Sequence, residues 1–240
     1  MMENKPIYMT IPIELLQDIH SDSNKTVRKM LLYGIYDRAV KMFPDLEEIG
    51  SYEIELSSEY FNLERKNIDD KVTQGKDLYD KFSNRPNASV SSNILLDFQN
   101  EKKESELMAF CAYCALRSMV GTKSYLKTTN EYLLSRMFGY ATKDEYVNEI
   151  PNDYGQSLRV KYAERYHLDK IKDTLQAHWG LVYYSRYTRG FYVSFKVDLV
   201  TLINLAEDKK DKYKLKETER KRIIESTLLM RKNQQNVSKK

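Results

Sequence analysis

The apolar periodicity of the chain changes once between Leu158 and Phe195, at Trp179-Gly180, and that change narrows the folds open to it. Before it, LRVKYAERYHLDKIKDTLQAHWG places Leu168, Ile171 and Leu175 on one side of a helix, with Trp179 one turn on. After it, LVYYSRYTRGFYVSF reads as two short aromatic strands around a tip that holds Arg186, Thr188 and Arg189. A long helix that stops and feeds a hairpin predicts a mixed architecture, mainly helical with short β hairpins. Residues 158–196 carry eight Lys or Arg against three acids, a net +5 where the whole chain has only +4. The charge is therefore local to this stretch.

The rest of the composition agrees with helices: among 240 residues there are 8 Gly and 5 Pro, too few for a turn-rich sandwich. No apolar run reaches the roughly 20 residues needed to span a bilayer. MMENKPIYMTIPIELL lacks the charged start and long apolar stretch of a secretion signal. Cys111 and Cys114 stand too close to staple a fold, so the expected compartment is the reducing cytoplasm, without membrane contact. Charge separates along the chain, from a net −4 over residues 1–103 to a net +6 over 201–240. That asymmetry suggests that only part of the chain meets a polyanion.

In chain order, residues 7–16 read as a strand or extended arm, and Lys25 to Phe43 as a helix ended by Pro44. SYEIEL (51–56) suggests a strand, and a helix follows from about Glu64 to Phe82. SNRPNASVSSN (83–93) resembles a loop, and NILLDF (93–98) fits either a strand or a short helix. The polar QNEKKESE (99–106) marks a boundary. Beyond it come a helix from Glu104 to Val120 capped by Gly121, a short strand at 124–127, and a helix over 129–138. Residues 141–157 read as an acidic loop insertion before the long basic helix. DLVTLINLA (198–206) predicts a short amphipathic helix, followed by a charged tail without Gly or Pro that is compatible with a weakly packed helix. These readings divide the chain into 1–103, a helical or degenerate winged-helix unit, then 104–197, then a C-terminal helix and tail over 198–240. SYEIELSSEYFNL (51–63) and SYLKTTNEYLLS (124–135) share a strand-then-cap layout, which allows two similar units in tandem.

The order helix, strand, helix, helix, hairpin over 104–195, closed by WGLVYYSRYTRGFYVSF, resembles the winged helix-turn-helix superfamily. Similar helix-plus-wing sequences occur in regulators and replication proteins of phages and plasmids, and a tandem pair resembles plasmid replication initiators. The resemblance implies double-stranded DNA as partner, with control of transcription or replication as the role, in a mobile element. The first unit would position or dimerise the second. A helix fits the major groove, and its outer face would offer Arg159, Lys161, Arg165, Tyr166, Asp169, Lys170 and Lys172. Arg186, Thr188 and Arg189 would contact backbone or minor groove as a wing does. Tyr183, Tyr184, Tyr187, Phe191, Tyr192 and Phe195 read mostly as cross-strand packing, leaving one or two free for bases. A non-catalytic adaptor that turns the same basic face to a protein is the competing reading.

Enzyme signatures are missing: the chain has no phosphate loop, no GxSxG elbow and no HExxH. Cys111-x-x-Cys114 lies in an apolar helix without a second ligand pair, and His20, His167 and His178 lack metal-ligand spacing. The expectation is therefore no catalytic residue, no metal, no cofactor and no small-molecule ligand.

Overall fold

The computed structural model describes residues 7–44, 50, 68–149, 151–185 and 190–237. The strand expected at 51–56, the first copy of the internal echo and the hairpin tip at 186–189 lie outside them. Over the described residues the protein is mainly helical with two small antiparallel sheets. In the first half, β1 (Tyr8–Pro12) leads through a 3-10 turn (Ile13–Asp18) into α1 (Ser23–Met42). α2 (Ile68–Phe82) packs on α1, bringing Tyr79 within 5.9 Å of Tyr33 and 5.5 Å of Tyr36 between ring centroids. β2 (Asn87–Ser91) then pairs with β1, and α3 (Ser92–Asp97) follows. β2 falls where the sequence suggests a loop. Its apolar positions, Ala88 and Val90, are too small and too few to stand out among polar neighbours, yet both are fully buried. For 93–98 the helix is the outcome.

α4 (Glu104–Val120) is the centre of the molecule. Its nine residues from Met108 to Leu116 are all buried, whichever way they face. Helices apolar all round are buried ones, and Ala109, Ala112, Cys114 and Ala115 are small enough to let neighbours approach from every side. The start is fixed by the Glu106 carboxylate, which accepts the Lys103 N–H at 2.9 Å. One core around this helix gathers Met9, Ile11 and Leu16 from the first half with Leu133, Leu168, Leu175 and Val193 from the second. The boundary expected at 103/104 does not separate two cores.

After α4, β3 (Leu126–Thr128) is followed by α5 (Asn130–Met137), where the Thr129 hydroxyl accepts the Tyr132 N–H at 3.2 Å. Residues 141–157 are not a loop: they form α6 (Lys143–Asn148) and the start of α7 (Asp153–Ala163). The long helix expected over 158–179 is also broken, because Glu164 is extended (φ −67°, ψ 134°) between α7 and α8 (Arg165–His178). The apolar registers explain the break. On one straight helix, Leu158 and Tyr162 would point roughly 125° away from the stripe of Leu168, Ile171 and Leu175. The break lets both faces reach the core, and all five residues are buried. β4 (Val182–Tyr184) and β5 (Phe191–Ser194) complete a three-stranded sheet of order β3-β5-β4. α9 (Leu199–Val237) runs for 39 residues, so the helix expected at 198–206 continues through the charged tail, for which helix is one reading of the sequence. No described helix is long and apolar enough to cross a membrane.

Candidate nucleic-acid interface

The sheet holds two layers apart. Side chains alternate across a strand, and here the alternation is complete. Phe191 and Val193 face the central core, while Tyr192, Val182 and Tyr184 pack with Leu202 and Ala206 of α9. Tyr183 points back to α8, donating its hydroxyl to Asp173 at 3.0 Å, and Tyr184 donates to Glu207 of α9 at 3.1 Å. Phe195 packs edge-on against Tyr113 at 5.6 Å. Both faces of the hairpin base are thus covered, and its aromatics build the fold. Tyr187 lies outside the described residues.

α8 buries one face against α4 and turns the other outward. Arg165 is open to solvent, its side chain 87% exposed, with Nε 3.2 Å from Asp169 Oδ2. Tyr166 is 61% exposed, and the Lys170 ammonium sits 4.4 Å above its ring. These three, with Asp169 between them, form the accessible part of the surface. Lys161 lies on α7 and is half-exposed, its ammonium 2.7 Å from Glu104 Oε1. Glu104 also accepts the Tyr162 hydroxyl at 2.9 Å, and the Lys161 hydrogen bond holds its carboxyl below the usual range.

Two expected contacts face inward instead. Lys172 has a side chain only 3% exposed. Its ammonium donates to Asp169 Oδ1 and Asn130 Oδ1, both at 3.1 Å, and lies 4.4 Å over the Phe191 ring. Its position among Leu168, Ile171 and Leu175 was the available signal, since those four share one helical face. Arg159 is buried as well. Its Nη1 donates to the carbonyls of Tyr146 and Glu149 at 2.8 Å each, with the guanidinium 4.3 Å from the Tyr146 ring and 5.0 Å from Tyr140. It anchors α6 to α7 and is not part of an outer surface. Arg186, Thr188 and Arg189 lie outside the described residues.

The consequence is electrostatic. α8 holds three cations against two carboxylates, and Asp169 partly neutralises both Arg165 and Lys172. Its outer face is close to neutral, less basic than the charge count over 158–196 implies. Cys111 and Cys114 are fully buried, and burial pushes both thiols upward. Among the described residues, no three His, Cys, Asp or Glu side chains converge as a metal site would need. No protein-family model, curated protein or solved structure matches the chain.

Proposed function

We propose that the protein binds double-stranded DNA through a winged helix-turn-helix built from α4, β3, α5, α8 and the β4–β5 hairpin, without catalysis. It would act in transcriptional or replication control of a mobile element, in the cytoplasm. The observation that carries this reading is the strand order β3-β5-β4 with α8 leading into the hairpin. That order is the one a winged helix would use, with one helix face turned outward beside a hairpin. α6 and α7 lengthen the connection between α5 and α8, so the turn is an elaborated one. Arg165, Tyr166, Asp169 and Lys170 are the groups positioned to meet the duplex, with Arg186, Thr188 and Arg189 as wing contacts.

The test is a fluorescence-anisotropy titration of the full chain with duplex DNA over a salt series. Binding should weaken steeply with salt, because each phosphate contact releases counterions. Replacing Arg165 and Lys170 with Ala should weaken it further, and Arg186→Ala with Arg189→Ala should flatten the salt slope. Affinity that ignores both salt and these substitutions would sink the reading. The near-neutral face of α8 favours the second reading, a protein adaptor using the same scaffold and able to pair as a homodimer. A partner that stays bound through nuclease treatment and is lost with Tyr166→Ala would support it.

A further inference from the structure

We propose that α9 carries a second nucleic-acid surface, a basic stripe that lies along phosphates on the side of the sheet away from α8. It rests on the duplex-binding reading for the class of partner, but not on any residue of α8.

The root of α9 is fixed in place. Asp198 accepts the Thr201 N–H at 2.9 Å and its hydroxyl at 2.8 Å, while Leu202 and Ala206 are fully buried against the sheet. On that outer face the Lys209 ammonium sits 4.8 Å over the Tyr125 ring, and the Lys127 ammonium 5.6 Å over Tyr192. The two rings are 6.3 Å apart, so two cations are held side by side where the helix leaves the sheet. Past that point the helix changes character. The side chains from Lys214 to Arg222 are all exposed, and these nine residues carry five cations against two acids.

Those cations are not scattered evenly. Lys209, Lys216 and Arg220 fall at i, i+7 and i+11, on one face and over about 16 Å of helix. Lys212 occupies the same register in the sequence. No carboxylate among the described residues lies within ion-pair distance of Lys209, Lys216 or Arg220. Off the stripe, Lys221 approaches Glu217 at 3.9 Å. The contrast with α8 is direct: there the carboxylate of Asp169 pairs with the cations, and here, along the stripe, no such pairing is found among the described residues. A duplex carries about one negative charge per 1.7 Å of its axis, so such a line matches a row of phosphates without reading bases.

The test compares two triple variants of the full chain that lose the same charge. One removes the stripe (Lys209→Gln, Lys216→Gln, Arg220→Gln); the other removes neighbours on the opposite side (Lys214→Gln, Lys221→Gln, Arg222→Gln). Each is titrated against a short random-sequence duplex over a salt series, with circular dichroism to confirm helix content. Because Lys209 also packs on Tyr125, the double variant Lys216→Gln with Arg220→Gln is measured as well. The stripe variant should lower the slope of log affinity against log salt by about 2–3, and the double variant by about 2. The opposite-side variant should lower it by less than about 1. Equal losses, or none, would overturn the stripe. Binding of the intact chain to phosphatidylserine vesicles, lost in the stripe variant while its duplex slope is unchanged, would assign the stripe to lipid and overturn it too. If Arg165→Ala and Lys170→Ala leave duplex binding intact while the stripe variant flattens the slope, α8 recognition fails and the stripe stands. If the intact chain binds no duplex, both fall.

Discussion

Lys172 and Arg159 show how a charged residue becomes part of an interior. Each has its cation against aromatic rings; Lys172 donates to two side-chain oxygens, and Arg159 donates through Nη1 to two carbonyls. Removing one partner of a buried pair leaves the other uncompensated. Lys172→Ala should therefore lower stability by about 3 kcal/mol, whereas Lys172→Met, which keeps the packed stem, should cost less. Arg159→Ala should cost about 2–4 kcal/mol by freeing two carbonyls and loosening α6. Urea unfolding measures both, and neither change should alter duplex affinity per folded molecule. His20 gives a pH effect. Burial lowers its imidazole to about 4, partly opposed by the Glu104 carboxylate. A histidine lowered in the folded state binds protons more readily when unfolded, so its contribution is intact above about pH 6.5 and is lost as pH falls toward 4. In a His20→Phe variant the urea midpoint should fall less across that window than in the parent chain; parallel curves would refute the assignment.

At the scale of elements, the most exacting junction is Gly190, which enters β5 at φ 96°. A Cβ there would meet the Thr128 carbonyl oxygen of β3. Gly190→Ala should lower stability by about 2 kcal/mol, because backbone strain adds to the collision, and a thermal melt reads it. The elements legible in the sequence were those whose signals are local. α4 matched from Glu104 to Val120 because the apolar run from Leu107 to Leu116 is followed at Gly121 by a C-cap glycine, and Thr129 announced α5 as its cap. Elements defined by distant partners were not legible. β2 exists because β1 lies beside it, and 78 residues separate Thr10 from its register partner Ser89 only to be closed by that pairing, a count of 79 positions along the chain. The break at Glu164 carries neither Gly nor Pro, and only the mismatch of two apolar registers betrays it. The site was half visible: Arg165, Tyr166 and Lys170 are outward as expected, while Lys172 and Arg159 were misplaced because charge was read as exposure.

For the whole molecule, the continuous core predicts that the two halves unfold together. Trp179, the sole tryptophan, touches Phe98 at 5.9 Å and Tyr113 at 4.9 Å between centroids, so it reports the seam between them. Arg117 crosses the same seam, its Nε–H donating to the Ser89 carbonyl at 3.0 Å and its guanidinium 5.3 Å from the Phe195 ring. Unfolding followed by Trp179 fluorescence should coincide with loss of amide protection in α1; separated transitions would show that the halves are independent. One further consequence comes from the adjacent hydroxyls of β4, tied to helices on opposite sides of the sheet. They index α8 and α9 to each other as a key indexes two gears. Inserting one residue just before Tyr183 would aim each hydroxyl at the wrong helix, whereas inserting two would restore the parity. Length changes at the base of this hairpin should therefore be tolerated only in even steps.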